Sequence, residues 1–575
     1  MATTQDKPAM VHESDSAASD PEKLHAGHDD GRYENKALAN DPTEGHYDIP
    51  WTFTRVVAVG SLCIVYVGSQ LILYFADPAL AYIAAAVDTK YPNWILTTNT
   101  LAVAAIAPFV GYITDLLGRR WVCIGGTVCL LVSSILIAAS YNFATVIAGM
   151  AIGGIGAGIC ELTALAGVAE ITPVRWRGAS LALVTFTILP FMPSVIYVLE
   201  LEQAGSWRWS FLIVAIWNLI GFFGLIFCYK PPPRHNADGL TKGEIIKRID
   251  YVGTLLSVGG VTIFLVGLQA GGYEYPWTSA TVLAPLIIGL VMIVVLFPLW
   301  EVYGTKYPMV PWAIFKGQRV VALAFVIVFI AGMNFYSILS FFPLMLEFQF
   351  APTTLITVGI RALSYPFAIL GGACFGSLAI SYSRGHVREL FVINAAIMCA
   401  FGGALAATSP NTPGLALAME TLDSFGIGAI IVPSLTLALY ACPDEYIGTT
   451  TALSLTSRFL GGSVGVGIYY NVFKSKLTAH APEIAVAAVK AGLPAAEAAS
   501  FVEAFLVSPI AAEQIKGVTA TVLGAATAAQ AEVYAEALKW VWITTIPFSA
   551  VAVLCCLALP NIKRFMSGRI AVDIH

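Results

Sequence analysis

Charge is scarce in this sequence: only 12% of its 575 residues are Asp, Glu, Lys or Arg, against about 25% in an average globular protein. That scarcity excludes a nucleic-acid binder and a disordered scaffold. Chemical signatures are missing too. There is no GxxxxGK[ST] phosphate loop, so ATP does not drive this chain, and no HExxH zinc motif. The ten cysteines form no CxxC and no Cys/His ligand cluster; they sit in or beside apolar runs and read as small packing residues, not as a disulfide framework. A basic start followed by a short apolar core, the mark of a secretory signal, is lacking, as is any Asn-x-Ser/Thr glycosylation site. Apolar residues fill the space instead, at 57%. That is more than a water-soluble surface accommodates, and it predicts an all-α polytopic membrane protein.

The net charge of −5 is unevenly spread. Residues 1–50 hold four cations (Lys7, Lys23, Arg32, Lys36) against eleven acids, and such a stretch cannot bury enough surface to fold, so a disordered acidic tail is expected. Its histidines (His12, His25, His28, His46) have no metal-ligand spacing. Beyond it, about 20 apolar residues are needed per membrane crossing. Fourteen runs qualify: 53–75, 94–113, 121–140, 143–170, 179–200, 210–229, 251–270, 279–300, 319–344, 354–381, 387–408, 414–440, 447–472 and 538–559. Placing both ends in the cytoplasm puts Arg119, Arg120, Arg175, Arg177, Lys230, Lys247, Arg248, Arg319 and Arg388 in inside loops. The short outside loops then hold only Lys90 and Arg208. The connection 474–537 is outside, and its Ala-rich stretches at 483–490 and 495–505 read as amphipathic helices on the membrane surface.

The strongest motif is Gly111-Tyr-Ile-Thr-Asp115-Leu-Leu-Gly118-Arg119-Arg120 between the second and third runs. Gly111 permits close helix approach, Gly118 a tight turn, and Asp115 can cap a helix end or pair with the arginines. A positive-inside loop would explain the arginines but not the Gly/Asp/Gly spacing. This segment resembles the signature loop of the major facilitator superfamily, and Glu170-Ile-Thr-Pro173-Val-Arg-Trp-Arg177-Gly178 is similar to the pattern closing that superfamily's fourth span. Fourteen spans resemble its drug:proton antiporter branch. Ile249-Asp250-Tyr251-Val252-Gly253, Gly271-Gly272 with Pro276-Trp277, Ser457 to Gly465 and Ala491-Gly492-Leu493-Pro494 resemble the fungal trichothecene efflux pumps within that branch. The superfamily's usual fourth-span arginine is absent, since 147–158 holds no cation. Leu189-Pro190-Phe191-Met192-Pro193 stands where the fifth-span antiporter glycines would be, a double-proline kink suited to the same mechanical part. Gly461-Gly-Ser463-Val-Gly465 fits a hydrolase elbow only literally, because Ser463 lies within an apolar helix. No enzyme and no cofactor is expected.

Ionisable residues inside spans are costly unless paired or facing a cavity. They are Glu161, Arg361, Glu420, Asp423 and Arg458. At 1.5 Å per residue, Asp423 and Arg458 both lie about 13–14 Å below the outer face, and Arg361 and Glu420 both near 10 Å. Pairs Asp423–Arg458 and Arg361–Glu420 are therefore expected, with Glu161, lacking a partner in its own half, as the proton carrier. Tyr66, Gln70, Asn334 and Tyr336 are candidates for lining a substrate cavity. Asp115, Arg119, Arg120, Glu170 and Arg177 should form a cytoplasmic gate of partly exposed ion pairs, each contributing modestly.

The sequence thus predicts a tail at 1–50, a six-helix bundle at 51–230, a linker with two extra spans at 231–317, a second six-helix bundle at 318–559 and a cytoplasmic tail at 560–575. The resemblance implies a monomeric, proton-coupled exporter of amphipathic small molecules such as fungal toxins or drugs, working by alternating access. It implies the plasma membrane, with the vacuolar membrane as an alternative, and the lipid bilayer, protons and a small molecule as its partners. Uptake of iron–siderophore complexes, and a non-transporting sensor, are the competing readings.

Overall fold

A computed structural model describes residues 52–89, 91–231, 244, 247–272, 274–315, 319–350, 355–383, 385–507, 515–563 and 566. The acidic tail lies outside the described residues. Helices dominate, and the one β feature among the described residues is a bridge between Gly271 and Tyr275. In chain order the helices are α1 (Phe53–Ala86), α2 (Asn93–Leu117), α3 (Arg119–Ala138), α4 (Phe143–Ile171), α5 (Val174–Ala204), α6 (Arg208–Phe227), α7 (Tyr251–Ala270) and α8 (Ala280–Gly304). They continue with α9 (Arg319–Gln349), α10 (Thr357–Tyr382), α11 (Val387–Ala407), α12 (Pro413–Ala441), α13 (Ile447–Lys490), the short α14 (Ala498–Val507) and α15 (Ala520–Leu557).

Polar side chains start many of these helices. Asn142 accepts from Thr145 N at 2.8 Å to open α4, Asp250 from Gly253 N at 2.8 Å to open α7, and Ser279 from Thr281 N to open α8. In α5, Pro190 and Pro193 interrupt the α-helical ladder with a 3-10 turn at Leu189–Phe191, so the expected double-proline kink is present.

Thirteen described helices are long and apolar enough to cross a membrane. The expected fourteenth, at 447–472, is helical as part of α13 but too polar to qualify. Its position explains why: α13 packs against α2, α4, α9 and α15, so protein rather than lipid surrounds it and Thr449, Thr450, Thr451, Ser454 and Thr456 are buried. α8 is the opposite case, with a mean hydropathy of 2.9 and an 11% buried core segment; its one long helical neighbour is α7, and the rest of its surface is left for hydrocarbon.

Two bundles result. α1 packs on α4 and α6, while α4 packs on α2 and α3; α12 packs on α9, α10 and α11, while α15 packs on α9, α11 and α13. The seam between them runs along α2–α13 and α5–α10, with α4 also touching α13. The inserted α7–α8 hairpin lies against α2 and α13, beside that seam. Its connection is stapled to both: Glu274 accepts from Trp94 Nε1 of α2, Asn471 of α13 accepts from Trp277 Nε1 at 2.7 Å, and Lys474 Nζ donates to Gly272 O at 2.6 Å. Gly272 has φ +77°, and a Cβ there would strike Asn471 and Trp277.

The outer connection departs from expectation. α13 runs for 44 residues and α15 for 38, about 66 and 57 Å at helical rise, so both extend well beyond a 30 Å hydrocarbon layer. Their extensions enclose α14 in a small core of Ile484, Ala488, Leu493, Phe501, Phe505, Val522 and Ala526. The apolar faces expected to rest on a membrane close on one another instead.

Candidate transport site and gate

At the end of the bundle carrying the 111–120 turn, the halves lock together by helix capping. The Asp115 carboxylate accepts from Gly448 N at 3.2 Å, Thr449 N at 2.9 Å and Thr449 Oγ1 at 3.0 Å. It thereby sits on the N-terminus of α13, where free amides and the helix dipole favour an anion. Gly111 is needed beside it, since a Cβ would lie 2.5 Å from Ala452 Cβ and 2.9 Å from Gly448 O.

The other half returns the same contact. Ser381 of α10 accepts from Ala179 N of α5 at 2.9 Å, and Gly178 lies so close to α10 that a Cβ would sit 2.3 Å from Ser377 O. The sequence carries the matching repeat, Pro173-Val-Arg-Trp-Arg-Gly178 and Pro443-Asp-Glu-Tyr-Ile-Gly448, each with a 3-10 turn before a capped helix. This paired cap went unread in the sequence, although the Pro-x-x-aromatic-x-Gly spacing was available.

Charges brace the caps. Arg119 Nη2 lies 2.6 Å from Glu170 Oε1 and 3.8 Å from Asp115 Oδ1. Arg177 donates to Ala169 O at 3.0 Å, to Leu439 O of α12 at 2.8 Å and to Asp444 at 3.2 Å, thus crossing the seam. Of the expected ion pairs those of Arg119 with Asp115 and Glu170 form, while Arg177 takes Asp444, outside the expected set; and instead of being partly exposed, the Arg119 and Arg177 side chains are each 1% exposed. These are desolvated anchors, in which loss of one partner is costly. Arg120 is not among them. It donates to Ile226 O of α6 at 2.8 Å and stacks on Trp121, within one half. Gly118, at φ +86°, makes the turn between α2 and α3.

In mid-bundle one ion pair joins the halves. Arg458 Nη2 of α13 donates to Glu161 Oε1 of α4 at 2.8 Å. Glu161 does lack a partner in its own half, but it is not buried without a cation, since the opposite half supplies one; and Arg458 does not pair with Asp423 as expected. It also provides the cation that α4 lacks. Arg361 of α10 is half-buried and makes no ion pair with Glu420. The depth argument placed residues at matching heights but left their directions around each helix open.

Tyr66 and Tyr74 of α1 and Tyr336 of α9 surround the pair closely enough to couple electrostatically with it. Tyr336 packs on Phe459, and the absence of a side chain at Gly462 leaves room for its ring. Gln70, half-buried, donates to Ser69 Oγ at 3.1 Å. Asn334 instead donates to Ser549 Oγ of α15 at 2.9 Å, fully buried, and ties two helices of one bundle together. Toward the end opposite the caps, Tyr365 of α10 lies within electrostatic reach of Asp77, Tyr74 and Glu420. Asp77 was missed because Asp77-Pro78 reads as the end of a span, yet α1 continues to Ala86; Tyr74 lay inside the expected span without a signal to single it out. For Asp77 the resumed apolar run after Pro78 was the signal.

Two bundles meeting along paired seams, capped at one end and bridged by a buried ion pair at mid-depth, form the architecture of a multi-pass membrane transporter. The chain matches the family described as the fungal trichothecene efflux pump over residues 19–575, and it belongs to that family. It is 30% identical over 466 residues to the MFS-type transporter prx5 of Penicillium rubens, covering 78% of this chain and 82% of that protein. It is 25% identical over 564 residues to the trichothecene efflux pump TRI12 of Fusarium sporotrichioides, covering 95% and 92%. Among solved structures, the human organic anion transporter MFSD10 is similar at 14% identity and a TM-score of 0.45, covering 73% of this chain and 95% of that one.

Proposed function

We propose that this protein exports amphipathic small molecules, a fungal toxin or drug, in exchange for protons by alternating access. The observation that carries this reading is the Glu161–Arg458 pair, a breakable link between the halves at mid-membrane. A proton on Glu161 removes the counter-charge of Arg458 and weakens the link of α4 to α13; loss of that proton restores it. The neighbouring Tyr66, Tyr74, Tyr336 and Phe459 offer ring faces and hydroxyls, a combination suited to a compact molecule with both apolar and oxygenated surface.

In this reading the halves at 51–230 and 318–559 rock about the seam, and the capped end is the cytoplasmic gate, closed here. The 231–317 segment supplies the inserted hairpin, and both termini face the cytoplasm. The working unit is the monomer, in the plasma membrane. The names of the relatives support export and the substrate class.

The test uses the full chain in proteoliposomes, with a tritiated trichothecene as probe and an imposed pH gradient. Gradient-driven movement opposite to the proton flow, abolished in Glu161→Gln, is the expected result. Movement with the protons would establish import, and flux indifferent to the gradient would remove proton coupling.

A further inference from the structure

A second group of buried acids lies in the other half, outside the Glu161–Arg458 pair. Glu420 and Asp423 are three residues apart on α12 and so share a face, and they are 0% and 3% exposed. Glu420 accepts from Ser364 Oγ of α10 at 2.5 Å and from Ser424 Oγ at 2.6 Å. Asp423 packs against Gly402 of α11, where a Cβ would lie 3.1 Å from both carboxyl oxygens, and its Oδ1 has no hydrogen-bond partner. Independently, Tyr469 of α13 is completely buried with its hydroxyl unpartnered, within electrostatic reach of Asp423.

Among the described residues no cation forms an ion pair with either carboxyl. α10 contributes Ser364, Tyr365 and Arg361, and Arg361 makes no ion pair; α11 contributes Cys399, and α13 contributes Tyr469, its Arg458 being engaged by Glu161. On α15 the charged residues are Glu532, Glu536 and Lys539, of which the last two pair with each other. Two carboxyls buried three residues apart, neither in an ion pair among the described residues, are costly to ionise together.

We propose that Asp423 and Glu420 form a second proton-binding site, holding one proton between the two carboxyls in the conformation with the capped end closed. A proton from water bonds to a carboxylate oxygen on loading, and the same O–H bond breaks on release. The site belongs to the pair and not to either residue alone. Unlike Glu161, which lies 2.8 Å from Arg458 in the same conformation, this site has no ion-pair partner among the described residues. Only its role in transport rests on the proton-coupled reading above; the binding itself does not.

The experiment is infrared difference spectroscopy on the full chain in liposomes without substrate, grown with or without ¹³C-carboxyl aspartate and glutamate. A protonated, buried carboxylic acid gives a carbonyl band distinct from ionised carboxylates. At neutral pH the wild type should show such a band, shifted by the label, kept in Glu161→Gln and in Asp423→Glu, and lost or reduced by half or more in Asp423→Asn. A band unchanged in Asp423→Asn, or no labelled band in a wild type shown to be folded by size-exclusion chromatography, overturns the site. Failure of gradient-driven flux with the band intact overturns the transport reading and leaves the site standing.

Discussion

Glu161 and Arg458 need each other for stability. Removing one member of a buried pair leaves an uncompensated charge, at a cost on the order of 3 kcal/mol, whereas removing both costs less. Glu161→Gln should therefore lower the thermal unfolding midpoint more than Glu161→Gln with Arg458→Gln, as read by a thermal-shift assay in detergent. Equal or greater loss in the double variant would show that the two side chains are not coupled. That these residues matter was legible in the sequence, because an ion inside an apolar run demands an explanation. Who pairs with whom was not, because the partners are 297 residues apart and on different bundles. Depth follows from residue count, but azimuth follows from packing, and only packing turns Arg458 toward α4 and leaves Asp423 facing Gly402.

At the scale of helices, the two caps across the seam are separate and similar, Asp115 on α13 and Ser381 on α5. Replacing either capping side chain by alanine should cost about 1 kcal/mol, with the larger loss at Asp115, which makes three contacts and touches Arg119. Because the two caps sit on different helix ends, the two losses should add to within about 0.5 kcal/mol. Denaturant titration of Asp115→Ala, Ser381→Ala and the double variant measures this, and strong non-additivity would mean that the caps break as one unit. A second expectation concerns α5. Pro190→Ala with Pro193→Ala should straighten the helix and slow flux without loss of folded protein, as read by transport rate per folded molecule. Element identity was almost fully legible, since apolar runs mark spans whatever their partners. Two cases are instructive: α1 outlasts Asp77-Pro78, and α13, read as a span at 447–472, is less apolar than the thirteen others because it touches so little lipid.

For the molecule as a whole, the capped end and the helical extension built from α13, α14 and α15 lie at opposite ends of the same bundle, so they must face opposite sides of the membrane. In a background stripped of the ten native cysteines, Val486→Cys, exposed on α13, should react with an impermeant maleimide added to intact cells. Trp121→Cys, exposed beside the 111–120 turn, should react only after permeabilisation. Labelling of both from one side would refute the arrangement. One long rod ties these places together. Thr449, Arg458, Asn471, Lys474 and Ile484 all stand on α13, in that order from the caps to the far tip. Tilted by about 5° around Arg458, which stands roughly 16 Å from the capped tip and roughly 48 Å from the far one, a helix of this length would swing those tips roughly 1.5 and 4 Å in contrary directions. If the pair acts as the pivot, loosening it would shift the Asp115 cap and the staple to the inserted hairpin together, because all three hang on one continuous helix.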